Sequence, residues 1–212
     1  AGGDGDWGVG DERRAAGGVE QGNILNSEIK GSGTLDESLD TECGGGGPTP
    51  VESAALDESK DQLVVATNAA FEPFEYMQGD AYVGIDMEIA ALLAEELGQE
   101  LVIQNMDFDA VCLSVGQQKC DIAMAGLTVS EERKEYVTFS DTYYQASQRL
   151  IVPSDDTTFK DMTDAEEITA ALAELDSSVK IGVQQGTTGN SYVEGSEDLG
   201  FPGLEATCQT YK

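Results

Sequence analysis

From Gln62 onward, short apolar segments alternate with amphipathic ones, and this alternation restricts the possible fold more than any other feature of the chain. Three segments read as buried strands because they are short, apolar and rich in small or β-branched residues: 63–67, 101–103 and 121–125. Helical patterns follow them at about 86–97, at 109–115 and from Ser130. Strands and helices at this spacing predict an α/β fold with a parallel sheet and right-handed crossovers.

The first predicted helix is the most detailed of these expectations. Asp86 would be its N-cap, and Gly98 would end it. A single apolar face is expected from the spacing of Ile89, Leu92, Leu93 and Leu97.

A second and shorter series of predicted helices and strands follows after 149–152. It comprises a helix near 165–175, a strand at 180–183, a loop at 184–189 and a last strand near 206–211. The chain therefore divides into a first lobe, residues 62–145, and a second lobe, residues 146–212, with a hinge near 144–146. A cleft between two such lobes is a usual place for a ligand.

Residues 1–61 have a different composition. They hold 14 of the chain's 25 glycines, and their acidic residues outnumber the basic ones by 14 to 4. Such a segment buries too little apolar surface to offset its ordering entropy, so we expect a disordered acidic leader. Cys43 precedes four glycines, as the acylated cysteine of a lipoprotein can, but the acidic and polar residues before it do not fit that signal. Lipidation of Cys43 is left open.

Charge and missing residue types exclude several functions. The net charge of −30 opposes binding to nucleic acid or to anionic membranes. The chain has no histidine, which removes histidine-assisted catalysis and histidine metal ligation. Its cysteines form no C-x-x-C pair, and we expect neither a metal nor a cofactor. Cys112 and Cys120 are close enough to form a disulfide, and two buried thiols are the alternative.

No apolar run approaches the length of a membrane span, and the first residues do not form a signal peptide, although one could have been removed.

Candidate binding residues follow each strand of the first lobe. Asn68 and Phe71 come after the first strand, Phe108 follows the second, and the third leads to Ala125, Gly126, Thr128 and Arg133. An arginine beside the first turn of a helix is suited to bind a carboxylate, because the helix N–H groups and the guanidinium both attract it. A solvated surface arginine is the alternative.

The chain also resembles a known family over 62–212. The segments VVATNAAFEPFEY, YVGIDMEIAALLAEELG, DIAMAGLTVSEERKEYVTFSDTYY and VQQGTTG occur in the order and at the spacing typical of the periplasmic-type amino-acid-binding proteins of ABC transporters. These are type II solute-binding proteins, with a two-lobed fold. The resemblance implies a protein outside the cytoplasm that is not an enzyme. It would capture a free amino acid in the interlobe cleft and deliver it to a permease.

The resemblance also implies roles for the candidate residues. Arg133 and Thr128 would hold the α-carboxylate of the ligand, helped by the loop that carries Gln184, Thr187 and Thr188. Ala125 and Gly126 would present their backbone to the ammonium group. Phe71 and Phe108 would enclose the ligand side chain. Since Asn68 is uncharged where binders of basic amino acids often have an acid, we expect a neutral polar or moderately apolar ligand, unless Glu72 faces the cleft.

One departure from the family pattern stands out. In the family the second lobe continues, supplies an aspartate for the ligand ammonium and returns to the first lobe, so the chain is expected to be truncated after Lys212. Two other functions remain as alternatives: an enzyme of the same fold, such as a dehydratase acting on cyclic acids, or the ligand-sensing domain of a receptor.

Overall fold

The computed structural model of the chain describes residues 47–212. Its strands are β1 (Gln62–Thr67), β2 (Ala70–Phe71), β3 (Glu75–Gln78), β4 (Ala81–Val83), β5 (Glu100–Asn105), β6 (Ile122–Ala123), β7 (Lys180–Gln184) and β8 (Thr207–Tyr211). Its helices are α1 (Ile85–Leu97), α2 (Phe108–Gly116), α3 (Glu131–Lys134), α4 (Ala165–Ala173) and α5 (Thr188–Glu194).

The first lobe is built on the parallel sheet that the sequence predicts. β1 lies between β5 and β6 and is parallel to both; Val65 faces Ile103 on one side and Ile122 on the other. β1 is the central strand of this sheet, and its residues 63–67 are all buried. β6 is shorter than predicted, with two paired residues. The carboxyl ends of all three strands meet at one edge, which brings the loops after them together.

α1 corrects two sequence-based expectations. Asp86 is not its N-cap: Gly84 takes that position with φ 117°, and Asp86 lies in the first turn, fully buried. The buried residues are Asp86, Met87, Ala90 and Ala94. Of the predicted apolar face, Ile89 and Leu93 are partly buried against the core, whereas Leu92 and Leu97 are 64% and 60% exposed. Alanines on the inner face let the helix pack close to the sheet. Gly98 ends the helix in the left-handed conformation, as predicted.

Gly84 has a steric reason to be glycine. A Cβ at this position would lie 2.4 Å from the carbonyl oxygen of Phe74. The close approach of these two backbones turns the start of α1 inward and carries Asp86 into the interior.

Four elements were not predicted from the sequence. β2, β3 and β4 form a small antiparallel meander, and α5 begins inside the segment predicted to be a loop. The strands have two to four residues, too few to show a period of two. α5 is capped by Thr187, whose hydroxyl accepts the N–H of Asn190 at 3.3 Å.

The boundary predicted between leader and lobe is too late in the chain. Val51 is buried and pairs with Tyr82, the N–H of Ala54 donates to Leu101, and the N–H of Ile103 donates to the Ser53 hydroxyl. This segment therefore covers the outer edge of β5, so the first lobe includes it. Residues 1–46 of the predicted leader, with Cys43, lie outside the described residues.

The second lobe contains the predicted helix and strands. α4 ends two residues before its expected limit, and β7 and β8 form a parallel pair with Ile181 opposite Cys208. Residues 135–164, which connect the lobes, form no helix or strand. Across residues 47–212, no helix has both the length and the apolar character needed to cross a membrane.

Candidate functional site

The two lobes meet where β1 and β7 end. Asn68, the residue after β1, accepts a hydrogen bond from the side-chain amide of Gln184 at 3.0 Å. Its own amide donates to the carbonyl of Met106 at 2.7 Å, which fixes the side chain against the loop after β5. Two of the candidate ligand-binding residues are therefore in direct contact across the cleft.

Arg133 also bridges the lobes. One guanidinium nitrogen donates to the carbonyl of Thr128 at 2.5 Å, and the other donates to the carbonyl of Gly186 at 3.0 Å. The guanidinium carbon lies 5.6 Å from the centre of the Phe108 ring. Within residues 47–212, Arg133 is in no ion pair. Its charge is held in the cleft by neutral groups, and this favours a binding role for an anion over a solvated surface charge.

The N-terminus of α3 differs from the expectation. Its first-turn N–H groups were predicted to be free for an anionic ligand, but the carboxylate of Asp198 accepts from Glu131 at 2.8 Å and from Glu132 at 3.3 Å. Ser130 caps the same turn by accepting the N–H of Arg133 at 3.2 Å. A carboxylate from the second lobe therefore takes the place predicted for the ligand at these two amides. No spacing in the sequence indicated Asp198.

The loop after β7 is shaped by two of its residues. Gly186 has φ 77°, and a Cβ there would lie 3.0 Å from the Cβ of Asp109. Thr187 donates its hydroxyl to the carbonyl of Gln184 at 2.7 Å, and Thr188, the first residue of α5, is buried. This loop brings the backbone of the second lobe to within hydrogen-bonding distance of Arg133.

The two candidate aromatic residues contact different parts of the chain. Phe71 is 49% exposed and stacks on Phe74, with 5.7 Å between ring centres. Phe108 is partly buried and contacts Arg133. Phe108 lines the groove between the lobes, and the joint enclosure of a ligand by the two rings stays a prediction.

A pair of buried acids behind Gly126 was missed from the sequence. The N–H of Gly126 donates to one oxygen of Asp86 at 3.1 Å, and the hydroxyl of Tyr143 donates to the other. Glu75 is also fully buried, and neither of its oxygens has ordinary hydrogen-bond geometry to a described residue. An aspartate at the start of a predicted helix favours a cap, and no local pattern in the sequence indicates that Asp86 is buried.

The electrostatics of this pair follow from burial. Desolvation, followed by the charge of Asp86 and a hydrogen bond to it, raises the pKa of Glu75 to about 11. Desolvation also raises the pKa of Asp86, while the Tyr143 hydroxyl, the Gly126 N–H and Glu75 act against this rise. We place the shared proton on Glu75, because Asp86 has donors for both of its oxygens.

An open groove of about 560 Å³ adjoins Arg133 between the lobes. Phe108, Arg133 and Thr188 line it, together with acidic and small residues of α3, α5 and the loop that carries Asp198. The other candidate residues do not line it: Asn68, Phe71, Ala125, Gly126, Thr128, Gln184 and Thr187. The groove therefore reaches one end of the candidate site, and the contact between Asn68 and Gln184 occupies the other.

Cys112 and Cys120 are buried thiols in the same apolar cluster, together with Ala125 and Leu127. This is the second of the two states that the sequence left open. Burial raises the pKa of the Cys120 thiol, which keeps it protonated and unreactive.

Comparison with known proteins gives consistent matches. Residues 63–189 match the family described as bacterial extracellular solute-binding proteins, family 3. The arginine-binding extracellular protein ArtP of Bacillus subtilis (strain 168) is 36% identical over 103 residues, which are 49% of this chain and 40% of that protein. The chain spans about half the length, or less, of the curated relatives of this kind.

Solved structures agree with these matches. An ancestral arginine-binding protein bound to arginine superimposes with a TM-score of 0.58 at 29% identity, over 72% of this chain and 61% of that one. An ancestral amino-acid-binding protein described as a precursor of cyclohexadienyl dehydratase gives 0.54 at 27% identity, over 71% and 61%. Both matches support a type II periplasmic-binding-protein fold.

Proposed function

Since the chain belongs to family 3 of the bacterial extracellular solute-binding proteins, we propose that it binds a free amino acid between its lobes and delivers it to the permease of an ABC importer. The observation that carries this proposal is the position of Arg133. Its guanidinium spans the cleft, held by a carbonyl of each lobe and without a carboxylate partner among the described residues. An α-carboxylate is the partner that such a fork fits best.

The remaining candidate residues take complementary roles in this proposal. Thr128 and the turn with Thr187 and Thr188 assist Arg133, while the backbone of Ala125 and Gly126 accepts the ammonium group. Phe71 and Phe108 border the ligand side chain, and Asn68 and Gln184 contact it with their amides. Binding favours closure because the ligand would touch both lobes and so stabilise the closed arrangement over the open one.

The side chain of the ligand is proposed to be polar. The amides of Asn68 and Gln184 are neutral, which suits a neutral polar side chain such as that of glutamine. The names of the relatives point instead to arginine, and a net charge of −30 also attracts a cation. Glutamine and arginine are therefore the first two ligands to compare.

Location and activity complete the proposal. The relatives are named as periplasmic or extracellular proteins, and we place this chain outside the cytoplasm as well. An enzyme of the same fold is the second candidate, because one similar structure is described as a precursor of a dehydratase. A binding protein releases its ligand unchanged, whereas a dehydratase would release water from it.

Isothermal titration calorimetry with arginine, glutamine, histidine and leucine tests the proposal. Saturable binding of a polar amino acid by the parent, lost in Arg133→Ala and kept in Lys134→Ala, would support it. Lys134 is a matched control because it lies in the same helix and pairs with Glu131 at the surface. Binding equal for the parent and Arg133→Ala would contradict the role of Arg133. Mass spectrometry of the recovered ligand separates binding from turnover.

A further inference from the structure

The peptide between Ala125 and Gly126 is held from inside the first lobe. The N–H of Gly126 points to Asp86, which is fully buried at the start of α1. Since the C=O and N–H of a trans peptide point in opposite directions, this hydrogen bond also fixes the direction of the Ala125 carbonyl, away from Asp86. Gly126 itself has φ 55°, in the left-handed region that favours glycine.

Both oxygens of Asp86 are needed for this arrangement. One accepts the Gly126 N–H, and the other accepts the hydroxyl of Tyr143, which comes from the segment connecting the lobes. Asp86 thus ties three parts of the chain together: the start of α1, the loop after β6 and the beginning of the interlobe connection. The two donors approach different oxygens, so an asparagine at this position would turn its NH₂ group, which cannot accept, toward one of them.

Glu75 determines the charge state of Asp86. It lies on β3, fully buried, and it interacts with Asp86. Two adjacent buried carboxyl groups cannot both ionise at neutral pH, so a proton on Glu75 leaves the negative charge on Asp86. That charge lies directly behind the peptide at which the ammonium group is placed by the proposed function.

We propose that Asp86 is a positioning residue for ammonium recognition: it orients the backbone carbonyl of Ala125 toward the ligand and places a negative charge behind that peptide. This inference rests on the proposed function, since it requires that an amino acid binds at this loop. It assigns a role to a residue that does not itself touch the ligand, and it explains why an acid is retained at a buried position that ordinarily disfavours charge.

A purely structural role for Asp86 is the competing explanation. The two roles differ in their dependence on the ligand. If Asp86 only supported the fold, Asp86→Asn would weaken all ligands by the same factor. If it positions the ammonium acceptors, the variant would weaken ligands that carry an ammonium group and have little effect on ligands that lack it.

The test is a cycle of two proteins and two pairs of ligands. Arginine is compared with 5-guanidinopentanoate, and glutamine with glutaramate; each second compound lacks the α-ammonium group. Binding is measured by NMR shift titration, which reaches millimolar dissociation constants. In the parent, removal of the ammonium should cost about tenfold or more in affinity. In Asp86→Asn, the same removal should cost less than about threefold. Equal factors in both proteins would overturn the proposal.

Two further variants complete the test: a second substitution that perturbs Asp86 and a matched control. Tyr143→Phe removes one donor to Asp86 and leaves the acid, so it should shift the cycle in the same direction by a smaller factor, even where Asp86→Asn folds poorly. Asp161→Asn is the matched control, because Asp161 is exposed. It should reproduce the parent. If the parent binds none of arginine, glutamine, histidine and leucine, the proposed function fails, which is a different result from equal factors with binding intact.

Discussion

Replacing Glu75 by glutamine tests the buried acid pair through the pH dependence of stability. The pKa of Glu75 is about 11 in the folded chain, whereas in the unfolded chain it returns to the ordinary value of about 4.5. Between these two pH values the folded state binds a proton that the unfolded state does not. The free energy of unfolding therefore falls as the pH rises through this window.

The magnitude follows from the same two values. Each pH unit within the window costs about 1.4 kcal/mol of stability. At pH 7, about 2.5 units above the ordinary pKa, the folded parent has lost about 3 kcal/mol relative to pH 4.5. Glutamine does not titrate, so its free energy of unfolding has no such pH dependence. Relative to the parent, the free energy of unfolding of Glu75→Gln should therefore rise by about 1.4 kcal/mol for each pH unit from 5.5 to 8.5. Its second N–H is left without a partner, which adds a constant cost of about 1–3 kcal/mol.

Urea unfolding of the parent and of Glu75→Gln at pH 5.5, 7 and 8.5 would measure this slope. The constant cost shifts the difference between the two proteins but leaves its pH dependence unchanged. Glu58→Gln is the matched control, because Glu58 is exposed in a surface turn and the substitution makes the same change of side chain. If the difference in free energy of unfolding between Glu75→Gln and the parent does not change with pH, Glu75 is charged in the folded chain and does not hold the proton.

Three other predictions follow from the site and its surroundings. Arg133→Ala should weaken amino-acid binding by about 2–5 kcal/mol, and Arg133→Lys should also weaken it because an ammonium cannot reproduce the fork; a calorimetric affinity within about threefold of the parent would contradict this role. Gly186→Ala should destabilise the chain by more than Gly200→Ala in urea unfolding, because both glycines have positive φ but a Cβ would meet Asp109 only at Gly186; equal losses would mean that backbone strain is the whole effect. Thiol labelling of the denatured, unreduced chain should modify both Cys112 and Cys120, and a disulfide-linked peptide pair in mass spectrometry would contradict the structure.

The order of the longer elements was predictable because each has a distinct physical signature. β1 and β5 each contain a continuous apolar run, at 63–66 and at 101–103, and Gly98 marks the end of α1. The prediction of the buried face of α1 was right for Ile89 and Leu93, which pack against the core, and wrong for Leu92 and Leu97. The innermost positions hold alanines, because close packing on the sheet selects small residues. Periodicity measures apolar character but not the distance between a helix and its sheet.

The candidate site was predictable only in part, for a related reason. Loops after parallel strands converge, so Asn68, Phe108 and Arg133 could be expected near one another. Their hydrogen-bond partners come from distant parts of the chain. Gln184 lies 116 residues from Asn68, and Gly186 lies 53 residues from Arg133. Asp198 lies 66–67 residues from the two amides that it accepts from at the start of α3. No local pattern encodes such contacts.

The hydrogen bonds between the lobes make ligand binding an exchange reaction. Asn68 and Gln184 already satisfy each other, and Arg133 already donates to Gly186. A molecule that enters between them must first break these bonds, so its affinity reflects the difference between new and old partners. Entry also requires the lobes to separate, and the observed association rate should therefore level off at high ligand concentration, at the rate of opening.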